Sequence, residues 1–323
     1  MMLECHSTTF IKMKNIYILY LLCVSLSVLG QSGGSSNNPN YTIKLNLELS
    51  TESSDFAPRF ADAGNIGMVF TSSRNSSDLN LTSLFYTERK DNKWQKPLSI
   101  VDSDKKNGIG IITMDYSRNV ILFTKCPLKY WHDSGYVCNI YYSFLEGDMI
   151  GEAIPLNIPI DLKNIESEVN LGHPYFSNEK DVLFFATNLP GGYGGKDIWF
   201  SIYERTSDTW GKPQNAGAKI NTSGDELYPM VHSDGSLYFT SSGHDGFGGW
   251  DIYKSEMEGE LSWGDAQNLG KPINSKSDDF GIVFNGNSLT GYFASNRKKG
   301  LGSDDIYEFS VDGGLNQYQS TPK

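Results

Sequence analysis

Between residues 41 and 49 the chain reads Tyr-Thr-Ile-Lys-Leu-Asn-Leu-Glu-Leu, an apolar–polar alternation of period two. That period gives a strand one face toward a core and one toward water. From residue 55 onward, short apolar runs bounded by Gly, Asn, Asp and Ser follow one another, and none sustains a 3.6-residue apolar period. The pattern predicts strands joined by turns and no helices.

The runs repeat. The aromatic that ends each second strand falls at Phe70, Phe123, Phe185, Phe239 and Phe293, spaced 53, 62, 54 and 54 residues. The aromatic of each third strand falls at Phe85, Tyr141, Trp199, Tyr253 and Tyr307, spaced 56, 58, 54 and 54. Two ladders with one period indicate a structural repeat. In the fourth copy, Tyr228 to His232 reads as a first strand, Leu237 to Ser241 as a second, Asp251 to Ser255 as a third, and Trp263 to Leu269 as a fourth. Four strands in a unit of this length predict an all-β fold, a β-propeller. One such unit exposes two apolar faces, and stacking the units around an axis buries both.

The ends of the chain set the blade count. The fifth repeat supplies three strands, Asp279 to Phe284, Thr290 to Ala294 and Asp305 to Val311. Its missing fourth strand is expected to be Tyr41 to Leu49, because the following STESSDFAPRF parallels NTSGDELYPMV at 221 to 231. Pairing with Asp305 to Val311 would close the ring and remove two sheet edges. This predicts a five-bladed β-propeller over residues 41–314, with a tail over 315–323. A six-bladed ring is the alternative, its extra blade drawn from the stretched second unit.

The third strands are preceded by one motif, written GGYGGKDIW at 191–199, GFGGWDIY at 246–253 and GLGSDDIY at 300–307. Gly192, Gly246 and Gly300 share one position, and Gly194, Gly248 and Gly302 another. Positive φ is the expected reason for glycine there. Asp197, Asp251 and Asp305 open the strand, where a short carboxylate can cap loose backbone N–H groups. Tyr193 and Phe247 sit at the loop apex, with Leu301 in the third copy, either covering a neighbouring blade or exposed for a partner.

These loops share a propeller face with the connections between blades. That face gathers Glu168, His173, Asp225, Glu226, Asp278 and Asp279. Acids and aromatics around a channel would suit a cation, a sugar or a basic peptide, and the bland alternative is a solvated acidic rim. The candidate binding rim is Tyr193, Phe247, Trp250, His244, Glu226 and Asp279.

The frame SDGSLYFTSSGHDGFGGWDIY resembles the WD40-like (PD40) propeller repeat of TolB-type proteins of the Gram-negative cell envelope. The match is strongest at Ser233-Asp234-Gly235 with Asp251-Ile252-Tyr253. Asn178-Glu179-Lys180-Asp181 with Asp197-Ile198-Trp199 follows, then Ser295-Asn296-Arg297 with Asp305-Ile306-Tyr307. The first two blades depart from it, since Leu84-Phe85-Tyr86 and Asn139-Ile140-Tyr141 lack the Asp. The resemblance implies a propeller in the periplasm or at the outer membrane.

The leader points to export, and the charge bears on the partner. The formal charge is −11, from 38 acids against 27 bases, which disfavours a nucleic-acid partner. Lys12 and Lys14 precede an apolar stretch from Ile16 to Leu29, so residues 1–30 read as a signal peptide and 31–40 as a flexible linker, with Met13 a candidate true start. An uncleaved anchor is the alternative. The mature chain, without Lys12, Lys14 and Glu4, carries 25 bases and 37 acids, or −12. Export would place Cys126 and Cys138 in an oxidising compartment, as a disulfide across a hairpin neck or as two separate thiols.

Catalytic signatures are sparse. GGYGG leads into a strand, where a dinucleotide fingerprint needs a helix. There is no Walker loop and no HExxH, and His132, His173, His232 and His244 lack metal-ligand spacing. No catalytic residue, cofactor or metal is expected. The sequence reads as an exported, non-enzymatic binding protein for an envelope protein or glycan, with no transmembrane segment in the mature chain. The alternative is a five-bladed glycoside hydrolase using Asp55, Glu168, Asp225 and Asp278.

Overall fold

The computed structural model describes residues 40–311 apart from 63, 77–80, 102–106, 128–136, 147–148, 162, 164–167 and 287–288. The expected signal peptide, the linker up to residue 39 and the tail lie outside the described residues.

Every helix or strand among the described residues is a strand, and the strands form a five-bladed β-propeller of antiparallel blades. The inner strands are Asp55–Phe60, Asn107–Asp115, Leu171–Ser177, Glu226–Val231 and Asp279–Phe284. The second and third strands follow each in sequence order. Outermost lie Leu98–Val101, Ile154–Pro155, Gln214–Asn215 and Gln267–Asn268. The fourth strand expected from Trp263 onward is broken. Ser262–Trp263 turns back onto Met257–Gly259, and only Gln267–Asn268 pairs with the third strand.

The fifth blade takes its outer strand from the other end of the chain. Tyr41–Leu45 pairs antiparallel with Asp305–Val311, Ile43 opposite Phe309 and Leu45 opposite Tyr307. The Tyr41 ring stands edge-on to Phe309 at 5.8 Å. The strand stops at Leu45 instead of Leu49 because Asn46 Oδ1 accepts the Glu48 and Leu49 N–H groups, both at 3.0 Å, and turns the chain. Leu49 is then buried between blades 5 and 1, against Met68, Phe70 and Ile306.

Five apolar clusters lie between neighbouring blades, including the 5-to-1 pair that closes the ring, and a sixth sits on the axis. The two aromatic ladders meet across strands. Phe70 pairs with Phe85, Phe123 with Tyr141, Phe185 with Trp199, Phe239 with Tyr253 and Phe293 with Tyr307. The first, second, fourth and fifth pairs are stacked, with centroids 5.7–6.4 Å apart. Such pairs add about 0.5–1.5 kcal/mol beyond burial.

Each inner strand is broken by a bulge whose residue has φ between 41° and 67°: Ala57, Ile111, His173, Tyr228 and Gly281. Three of the N–H groups freed there donate to a threonine of the preceding blade, Ile111 to Thr71 (3.1 Å), His173 to Thr124 (3.0 Å) and Gly281 to Thr240 (3.4 Å). The bulges bend the inner strands around the axis. A disulfide joins Cys126 on the second strand of blade 2 to Cys138 beside the third. No helix among the described residues is long and apolar enough to cross a membrane.

Candidate functional site

The three Gly-rich loops join second and third strands of blades 3, 4 and 5, at one end of the wheel. Asp197 folds its loop by accepting the N–H groups of Tyr193 (2.6 Å) and Gly194 (3.3 Å). Asp251 does the same for Phe247 and Gly248, and Asp305 for Leu301 (2.8 Å) and Gly302 (3.2 Å).

The reason for the glycines differs from the expected one. Positive φ occurs at Gly191, Gly217, Gly235, Gly270 and Gly281, and at none of the six motif positions. What those six need is space. A Cβ at Gly192, Gly246 or Gly300 would overlap the Asp carboxylate of its own loop. A Cβ at Gly194, Gly248 or Gly302 would overlap the carbonyl oxygen of Thr222, Ser277 or Ser53, in the segment that enters the next blade. The motif therefore seats each loop on its neighbour, from blade 3 to 4, 4 to 5 and 5 to 1.

A second interlock uses carboxylates. Asp55, Glu226 and Asp279 head inner strands and are fully buried. Each accepts the N–H four residues back, from Thr51 (2.7 Å), Thr222 (2.8 Å) and Ser275 (2.6 Å). Arg74 pairs with Asp55 at 2.6 Å and donates to Leu49 O at 2.7 Å, its guanidinium 4.9 Å from the centre of Phe70. Arg297 repeats this with Asp279, Ile273 O and Phe293. In blade 4 His244 takes the arginine's place, its Nε2 2.9 Å from Ile220 O and its ring 5.0 Å from Tyr253. Burial raises the Asp279 carboxyl above the usual range, and Arg297 opposes it.

Glu226 and Asp279 thus do not stand on the rim where the sequence placed them. They are staples beneath it, because the backbone N–H groups of the entry segments need buried acceptors. Asp225 and Asp278 are engaged too, accepting the Lys196 and Trp250 N–H groups of the preceding blade at 2.7 and 3.1 Å. Glu168 contributes its backbone carbonyl, which accepts from Asn188 at 2.9 Å. Trp250 is half-buried and turned to the axis, 6.5 Å from Tyr228 and 6.2 Å from Phe280. What remains exposed is the row of loop apices: Tyr193 at 51%, Phe247 at 47% and Leu301 at 46%. The Lys271 ammonium lies 5.4 Å from the Phe247 ring centre. Among the described residues no cluster of His, Cys, Asp or Glu could hold a metal ion.

At this end the axis is closed by aromatics. Phe280 lies 5.1 Å from Tyr228 and 6.2 Å from Phe56, and His173 packs edge-on to Tyr228 at 4.3 Å. Burial first, then the charges of Lys196 and Arg59, push His173 down to about 3. Its unfolded value is near 6.5, so between those limits the unfolded chain binds the extra proton and stability falls as pH falls. The wild type should lose up to about 1.4 kcal/mol per pH unit below pH 6.5 relative to His173→Asn, which also tolerates positive φ. Paired urea melts at pH 7 and 5 check this, and parallel losses in the two proteins would contradict it.

His173 and Trp250 were placed at this face from the sequence, but the bulges that turn the axial groups inward went unnoticed, although a signal was present. Ala57-Pro58-Arg59, His173-Pro174-Tyr175 and Tyr228-Pro229-Met230 repeat a proline directly after the bulge. Proline lacks the N–H that a bulge leaves without a ladder partner.

No protein-family model and no curated protein matches the chain. Solved structures do. An exo-β-1,3-galactanase from Clostridium thermocellum aligns with TM-score 0.53 and 10% identity, over 82% of this chain and 61% of that one. An α-L-arabinofuranosidase from Lactobacillus brevis aligns with TM-score 0.50 and 11% identity, over 83% and 92%. TolB from Acinetobacter baumannii aligns with TM-score 0.47 and 10% identity, over 80% of this chain and 55% of TolB. At such identities the likeness to the first two extends to the fold and no further.

Proposed function

We propose that the chain is an exported, non-enzymatic propeller of the cell envelope that binds a protein or glycan through its Gly-rich face. One observation carries this reading. Three successive loops, each fixed by its own Asp and seated on the next blade, hold Tyr193, Phe247 and Leu301 out to solvent. Aromatic side chains presented on a rigid support lose little entropy on binding. Of the four carboxylates that a hydrolase reading would recruit, three, Asp55, Asp225 and Asp278, are occupied with backbone N–H groups, and Glu168 is left. The leader-like residues 1–30, the Cys126–Cys138 disulfide and the PD40-like repeat frame support export and an envelope setting.

The test compares the wild type with the triple variant Tyr193→Ser, Phe247→Ser, Leu301→Ser in capture from envelope extract. The variant should keep its melting temperature within about 2 °C and lose at least about tenfold in recovery of the captured partner, since truncating one anchor alone costs about 1–2 kcal/mol. Equal capture by both proteins, or hydrolysis of a sugar panel by the wild type, would reverse the reading.

A further inference from the structure

On the flank of the wheel a cleft of about 630 Å³ opens between blades 2 and 3. The apolar layer between these blades runs outward from the buried Val120 and Leu122 to Phe144 and Tyr142, their cross-strand partners. There it meets solvent, and Phe144 is 49% exposed. The facing wall is the hairpin of blade 3 in which Tyr203 pairs with Trp210, their rings 5.0 Å apart. Arg118 lies over this wall, its guanidinium 3.9 Å from the centre of Tyr203 and 5.8 Å from that of Trp210. The fully buried Asp115 holds its Nε, and the Tyr203 hydroxyl donates to Asp208. The walls are therefore fixed without a ligand.

The polar atoms on these walls are unspent. Arg118 Nη1 and Nη2, Trp210 Nε1 and the Tyr142 hydroxyl make no hydrogen bond to the described residues, and each keeps surface. The exposed Asn157 and Asp208 stand at the edge.

We propose that this cleft binds a short neutral saccharide, its C–H faces against Trp210, Tyr142 and Phe144 and its hydroxyls bonded to Arg118, Asn157 and Asp208. Hydroxyls donate and accept, so one ligand of this class serves the donors Arg118 and Trp210 and the acceptor Asp208 together. Asp115 balances the charge of Arg118 and Asp208 adds a negative one, so the cleft holds no net attraction for an anion. The face of Tyr203 is already taken by Arg118, which repels a second cation. A proline-rich peptide would offer mainly acceptors and leave Asp208 without a donor. The volume falls within the roughly 300–1,000 Å³ of small-ligand sites, and an apolar lining with a few polar groups is their usual make-up. The cleft stands apart from the Gly-rich loops and does not depend on the docking reading.

Calorimetric titration of the full chain with lactose, maltose, cellobiose and diacetylchitobiose, against sialyllactose and a polyproline peptide, tests this. At least one neutral disaccharide should bind and quench tryptophan fluorescence. Phe144→Ser, at an exposed position, should weaken that sugar at least about tenfold, and so should Trp210→Ala if it folds. The triple variant of Tyr193, Phe247 and Leu301 should bind the sugar as the wild type does, which separates this cleft from the Gly-rich face. No binding of any neutral disaccharide would overturn the site. So would tighter binding of sialyllactose or of polyproline, or sugar affinity unchanged in Phe144→Ser.

Discussion

A chain shortened to begin at Asn46 should melt about 10–20 °C below the full chain, or not fold at all. The loss comes from the ring. Tyr41–Leu45 covers the ladder edge of Asp305–Val311, and Tyr41 packs on Phe309 in the cluster that also holds Met230 and Ile252 of blade 4. Burial of Tyr41 with partial burial of Ile43 and Leu45 contributes about 5 kcal/mol. In a protein of this size each kcal/mol moves the melting point by about 2–4 °C. Removing the strand also leaves the fifth blade with an open edge, so aggregation on heating should rise. Differential scanning calorimetry of both chains reads the first effect, and light scattering during the scan reads the second. A shortened chain that melts within about 2 °C of the full one would contradict the closure.

The second large effect is steric. Gly248→Val should cost about 3 kcal/mol or more, because its Cβ falls on the Ser277 carbonyl and backbone cannot move aside as a side chain can. Gly194→Val and Gly302→Val should cost about as much, each at a different blade junction. Gly191→Ala is the comparison within the Gly194 loop. Its φ is +92° and no atom lies within 4 Å of the added Cβ, so only backbone strain, about 1 kcal/mol, is expected. Denaturant midpoints rank the four variants. If Gly191→Ala proved the worst, conformational freedom rather than close approach would be the reason for these glycines.

The blades were legible because the repeat is written in residue types whose burial is non-negotiable. The positions of Phe70, Phe85, Phe293 and Tyr307 could be placed from spacing, and the strand that closes the ring from its alternation and from the likeness of the segment after it to residues 221–231. Polar staples were harder. Glu226 and Asp279 look like surface acids in a chain of net charge −11, and only the fold shows that the entry segments bring backbone N–H groups to them. Arg297 was visible within Ser-Asn-Arg, yet its partners Asp279 and Ile273 lie 18 and 24 residues away. The flank cleft was illegible because its walls come from two blades, Tyr142 and Phe144 from one and Tyr203 and Trp210 from the next, a juxtaposition that no local pattern records.

The central claim is that the two ends of the described chain form one sheet. Amide hydrogen exchange followed by mass spectrometry measures this directly. The account predicts that in peptides covering Tyr41–Leu45 the alternate amides facing Asp305–Val311 exchange far more slowly than those of an unstructured peptide, the outward amides of this edge strand exchanging faster. Exchange of the 41–45 amides at the rate of an unstructured peptide, with 305–311 still protected, would contradict it.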